Sequence, residues 1–158
     1  TGGCKLKTAK ETIESFVEKL DDFIDTTNIK FANFKPEFMT AADMSMDELK
    51  QLSKDDCFNN ADLLYGYAAY IKDQLTRQKI VYDLCTDQLE KMVARNSDKF
   101  GPYTKHEAKI QLIIVDNEYA NSIDHYRQIA QARMQSLSDK AYELKRKADI
   151  LTEKGKRL

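Results

Sequence analysis

The sequence predicts an all-α protein: a long antiparallel, coiled-coil-like helical hairpin, preceded by an N-terminal amphipathic helix and an irregular linker. Three observations carry this. The 158 residues include only 5 Gly and 2 Pro, while Lys, Glu, Asp, Leu and Ala abound. Two series of apolar positions recur at alternating spacings of three and four, one over residues 61–92 and one over 123–151. Between them lies ARNSDKFGP, where Gly101 and Pro102 stop a helix. A chain of this length holds one ordinary core. It reads as two segments: residues 1–57, the first helix and linker, and residues 58–158, the hairpin with its basic C-terminal end.

Thr1 to Cys4 read as a flexible tip or an appended remnant and carry no weight for the fold. The start TGGCKLKTAK has no apolar core and does not resemble a secretory leader. Over residues 8–24, Ile13, Phe16, Val17, Leu20, Phe23 and Ile24 form the one-sided stripe of an amphipathic helix. The stretch TTNIKFANFKPEFMTAADM holds no sustained period and reads as irregular, laying Phe31, Phe34 and Phe38 onto another element. Ser45 and Glu48 in SMDE form a capping box, so a short helix starts there and runs to about Leu52.

The first seam is Ala61, Leu64, Ala68, Ile71, Leu75, Gln78, Tyr82, Cys85, Leu89 and Met92, with Gln78 its polar member. A period of 3.5 held for more than four heptads is a coiled-coil face. Asn59 and Asn60 are placed to cap its start. The second seam is Ile123, Arg127, Ala130, Met134, Leu137, Ala141, Leu144, Ala148 and Leu151. It extends back through Ala120 to Ile113, with Asp116 as an interruption, so one helix is expected over about residues 104–153. A turn of several residues makes the pair antiparallel.

Each helix also carries apolar residues outside its seam. That surplus needs either the N-terminal helix or another subunit, and Leu63, Tyr67, Tyr70 and Ile80 on the first helix and Ile129 on the second predict a homo-oligomer held partly by them. No apolar run approaches the ~18 residues of a membrane span, so no membrane partner is expected. Cys4, Cys57 and Cys85 form no close pair, which points to a reducing, cytoplasmic setting rather than a disulfide framework. His106 and His125 have no cysteine at zinc-ligand spacing. There is no GxxxxGKS loop, GxSxG, HExxH or cysteine pair, so the chain reads as non-enzymatic and without a cofactor or metal.

The net charge of -1 conceals a gradient. Residues 1–60 carry 8 basic and 12 acidic groups, whereas residues 126–158 carry 9 and 4. Lys140, Lys145, Arg146, Lys147, Lys154, Lys156 and Arg157 cluster at the C-terminal end around Tyr142, and Lys140, Lys147 and Lys154 share one helix face. Cations for phosphates and a ring for stacking are what base-tolerant single-strand binding needs. The same lysines also suit a solvated helix end that complements the dipole, and a membrane-surface helix is a third reading, weakened by alanines where bulky anchors are expected. A second candidate is the turn, where Lys91, Arg95, Lys99 and Lys105 surround Phe100 and Tyr103.

The run NNADLLYGYAAYIKDQLTRQKIVYDLCTDQLEKMVARNSDKFG, the long helix after it and AYELKRKADI resemble the UvsY family of phage recombination mediators over about residues 58–155. In that family a basic stretch ends the first long helix. Ala94, Arg95 and Gly101 match it, Val93 stands where a lysine is expected, and Lys91 is the nearest substitute. Tyr142, Leu144 and Lys145 follow the family's aromatic, aliphatic, lysine order. The first 57 residues are longer than the family pattern. The resemblance implies a ring-shaped oligomer in the host cytoplasm that binds single-stranded DNA. It would help a RecA-like recombinase onto strands covered by a single-strand binding protein. The competing reading is a structural or adaptor coiled coil, such as a virion or assembly component, without nucleic-acid contact.

Overall fold

A computed structural model of the chain describes residues 9–27 and 33–158. The expectations for Thr1–Cys4 and Phe31 lie outside these residues. Every regular element among them is helical. The N-terminal stripe folds as α1, Ala9–Thr26, with Leu20 and Ile24 buried and Phe23 half in solvent.

The linker is more regular than its sequence pattern indicates. It holds α2, Pro36–Ala42, and α3, Met46–Lys50. Pro36 sits in the first turn of α2, where its fixed φ fits the helix and its missing N–H costs nothing. A seven-residue helix that buries only Phe38 and Ala41 is too short to display a period. The capping box before α3 is present: Ser45 Oγ accepts from the Glu48 N–H at 3.2 Å.

Helix α4, Lys54–Arg95, starts earlier than Asn59 and Asn60 would place it. Ser53 Oγ accepts from the Asp56 N–H at 3.2 Å, and Asp55 and Asp56 put negative charge at the positive pole of the dipole. Asn60, inside the helix, instead donates to the Asp56 carbonyl at 2.8 Å. The helix ends as Asn96 Nδ2 donates to the Met92 carbonyl at 2.7 Å, and a 3-10 turn follows over Ser97–Lys99.

The expected helix over 104–153 is two helices, α5, His106–Asp116, and α6, Glu118–Arg157. Asn117 separates them with extended backbone, φ -130° and ψ 117°. Its side-chain oxygen accepts from the Ala120 N–H at 3.0 Å, the bond of an N-cap. Asparagine competes for backbone donors in this way, which breaks a helix that apolar spacing alone would continue.

These helices form two compact units, and α4 and α6 contribute to both. One unit joins α1 to residues 77–132. Cys85, Leu89, Met92 and Val93 of α4 pack with Ile113 and Ile114 of α5 and Ala120 and Ile123 of α6, and Ile13 and Phe16 of α1 pack against that core. Asp124 is buried, and Arg127, the seam's charged member, donates to it together with Gln128. Pairing is what lets charge sit there, since breaking a buried pair is strongly destabilising.

The other unit joins residues 33–76 to 133–158. Cys57, Ala61, Leu64, Ala68 and Ile71 of α4 form its core with Ala141, Leu144, Ala148 and Leu151 of α6, together with Phe38 and Ala41 of α2. The pairing is antiparallel: Gly155 meets Phe58, Asp149 meets Tyr65 and Lys140 meets Tyr67. In each unit, members of both predicted seams pack together as a helical hairpin requires, while Leu75, Gln78, Tyr82, Arg127, Met134 and Leu137 are half-buried. Burying leucines such as Leu64 and Leu151 contributes roughly 1.5–3 kcal/mol each.

Phe34 and Phe38 lie on this unit as the sequence suggests. The Phe38 ring stacks on Tyr67 with centroids 5.7 Å apart, and Phe34 meets Tyr70 at 5.5 Å. Tyr67 is thus 4% exposed inside its own chain. It is not available to an oligomer interface, because Phe34 and Phe38 of the linker cover it, and the sequence does not show which element they meet. Leu63 and Tyr70 are half-buried against the same core. Ile80 is half-buried, and Ile129 remains 37% exposed.

Candidate nucleic-acid interface

The last turns of α6 carry the basic cluster. A helix advances about 100° per residue, so Lys140, Lys147 and Lys154, seven apart, stand in one stripe. Each member of that stripe also meets the chain itself, although Lys140 stays exposed. Lys140 Nζ lies 5.2 Å from the centroid of the Tyr67 ring. Lys147 Nζ donates to the carbonyls of Ala42 at 2.7 Å and Met44 at 3.2 Å, and Lys154 Nζ donates to the Leu49 carbonyl.

The Ala42 and Leu49 carbonyls lie in the last turns of α2 and α3, and that of Met44 lies between the two helices. The last carbonyls of a helix have no intrahelical donor and carry the negative end of its dipole. An ammonium group answers both needs. These contacts take up part of what Lys147 and Lys154 can donate, while Lys140 stays exposed beside an aromatic ring, so the stripe also holds the linker helices. Sequence alone leaves these lysines free because α2 is not visible in it and nothing in residue order shows that α2 and α3 pack along α6.

A different face of α6 is open. Tyr142, Lys145, Arg146, Asp149, Glu153, Lys156 and Arg157 fall within an arc of about 120° and all are exposed. Tyr142 is 69% exposed. Lys156 pairs with Glu153 at 3.3 Å in solvent, a contact worth little. Asp149 accepts from the Tyr65 hydroxyl, and that bond holds the Tyr65 pKa above its usual value. Among the described residues Lys145, Arg146 and Arg157 have no hydrogen-bond or ion-pair partner.

The turn belongs to the other unit. Lys91 pairs with Asp87 at 2.9 Å on the surface, and Arg95 is exposed in the last turn of α4. Burial raises the Tyr119 pKa, a hydrogen bond to Gln88 lowers it, and the Arg95 charge lowers it further. The two turn rings separate in role. Phe100 packs against the core with Lys109 Nζ 5.9 Å from its centroid, whereas Tyr103 is 97% exposed.

One feature is hidden from sequence reasoning: an apolar groove of about 410 Å³ between the α3 segment and α6, floored by Met44, Met46, Leu49 and Ile150. Its only sequence signal is the pair of methionines around the capping serine. Among the described residues no helix is long and apolar enough to cross a membrane, and no cluster of three potential metal ligands occurs. No protein-family model matches the chain, and no curated protein sequence or solved structure matches it.

Proposed function

We propose that this chain is a non-enzymatic single-stranded DNA-binding protein acting as a recombination mediator. The observation that carries the binding reading is Tyr142, 69% exposed on the helix face that also presents unpaired Lys145, Arg146 and Arg157. An open ring stacks on a base of any identity, and adjacent cations neutralise phosphates and release counterions. Arg95 and exposed Tyr103 at the turn form a second set of the same chemistry, with Lys91 beside them. The mediator role, assisting a RecA-like recombinase on strands held by a single-strand binding protein, rests on the UvsY-like pattern of residues 58–155. One copy offers few contacts, so useful affinity calls for a homo-oligomer that multiplies them through effective concentration.

The test is titration of a labelled oligothymidylate at two salt concentrations, beside a sizing measurement. Affinity should fall with salt by a log–log slope of about -0.7 per phosphate neutralised. The triple variant Tyr142→Ala, Lys145→Ala, Arg157→Ala should lose at least tenfold in affinity and about 1.4 in slope, with helicity and size unchanged. Parent-like binding by that variant would show the α6 face to be merely solvated. Absence of binding by the parent would leave the adaptor coiled coil as the better reading.

A further inference from the structure

The groove beside α3 has an apolar floor that the DNA reading does not use, and it shares Arg146 of its rim with the DNA face. Met46 and Ile150 on its floor are 70% and 58% exposed, although Leu151 next in sequence is buried. Single exposed apolar residues are ordinary, but these converge with Met44 and Leu49 on one concave surface. The rim carries Lys50, Arg146, Lys147 and Lys154 against Glu143 alone. Lys147 and Lys154 are held in place by the helix-end carbonyls. An ammonium group has three donors, so Lys147 keeps one for a ligand and Lys154 keeps two. Along α6 the groove runs from Glu143 to Lys154, about 16 Å or three helical turns.

We infer that this groove receives an acidic amphipathic helix of a partner protein. Apolar residues at i, i+3 or i+4, and i+7 of that helix sit on the methionines and Ile150, while flanking carboxylates meet the cationic rim. Unbranched methionines adapt their shape to such a stripe. The charge balance of the rim, four cations to one carboxylate, selects an acidic helix over a basic one. The floor is aliphatic and offers no ring on which a base could stack. A small acyl ligand would lie too open, since such ligands are typically 70–90% buried in their sites. A second copy's acidic α1 is a poor occupant, because its Leu20 and Ile24 are already buried.

The test uses the full chain and a fluorescein-labelled synthetic helix of about fourteen residues, four turns, with leucines on one stripe and glutamates flanking it. A second peptide carries lysine at each glutamate. The glutamate peptide should bind at least tenfold more tightly than the lysine peptide. Met46→Ser with Ile150→Ser should weaken it at least tenfold, leaving helicity, size and oligothymidylate binding unchanged. Lys50→Glu should narrow the preference between the peptides. The inference is overturned if neither peptide binds, if both bind equally, or if the double serine variant binds as the parent does. It is also overturned if that variant changes oligomer size, which assigns the groove to a second copy. Loss of binding to anionic phosphatidylserine vesicles in that variant would assign it to a lipid surface instead. The serine pair leaves the proposed DNA contacts intact, so either reading can fail alone.

Discussion

Lys147 Nζ lies 2.7 Å from the backbone oxygen of Ala42, the last residue of α2, and 3.2 Å from that of Met44. A lysine in the middle of a basic run is therefore a helix cap supplied from another helix. Lys147→Met should remove about 1–2 kcal/mol, the scale of hydrogen bonds from a charged donor discounted for partial exposure. Lys145→Met, two residues away and exposed, should change stability by no more than about 0.5 kcal/mol. Urea unfolding followed by circular dichroism separates them, and equal losses would contradict the capping role.

Gly66, within α4, is hemmed in by its neighbour. A Cβ there would meet the Phe38 ring at 3.0 and 3.2 Å. Alanine should gain up to about 1 kcal/mol of helix propensity, but the ring is buried and stacked on Tyr67, so it has little room to give. Gly66→Ala should be destabilising by about 1–3 kcal/mol, the usual cost of overpacking. Adding Phe38→Leu should recover part of that loss. A stabilised single variant would show the linker to be loosely seated.

Asn117→Ala removes the N-cap of α6 and should cost about 1 kcal/mol. Asn117→Asp keeps an acceptor at the positive pole and should be close to parental. Thermal melts of both variants decide this.

Burial pushes the Cys85 thiol from 9.0 up to about 11, against a lowering by Arg127. Its folded state therefore holds the proton that the unfolded state loses first. The contribution is intact below pH 9 and is lost as pH rises toward 11. Alkylation at pH 8 mapped by mass spectrometry should leave Cys85 unmodified in the native protein and modify it in urea. Rapid native labelling would mean that the core around it opens.

The long helices are legible from residue order, because little besides a helical seam produces a period of 3.5 over four heptads. Ala61, Leu64, Cys85 and Leu89 on one seam, and Ile123, Ala141, Ala148 and Leu151 on the other, are all buried. The break at Asn117 is legible only in principle, since asparagine inside an apolar series is as often a tolerated surface residue as a cap. The candidate DNA face is half legible. Composition marks the basic cluster but cannot tell the open residues, Tyr142, Lys145, Arg146 and Arg157, from Lys147 and Lys154, which bond helix-end carbonyls.

Residue order by itself determined the all-α class, the two seams and the capped start of α3, because each depends on neighbours within a few turns. Tertiary structure alone decided which cations are free, that Tyr67 is covered, and that two methionines and Ile150 share a groove. Those outcomes depend on contacts between residues far apart in the chain, from Phe38 with Tyr67 to Lys147 with Ala42 and Lys154 with Leu49. A lysine has the same side chain whether it meets water or a helix-end carbonyl, and only the packing of α2 and α3 along α6 distinguishes the two.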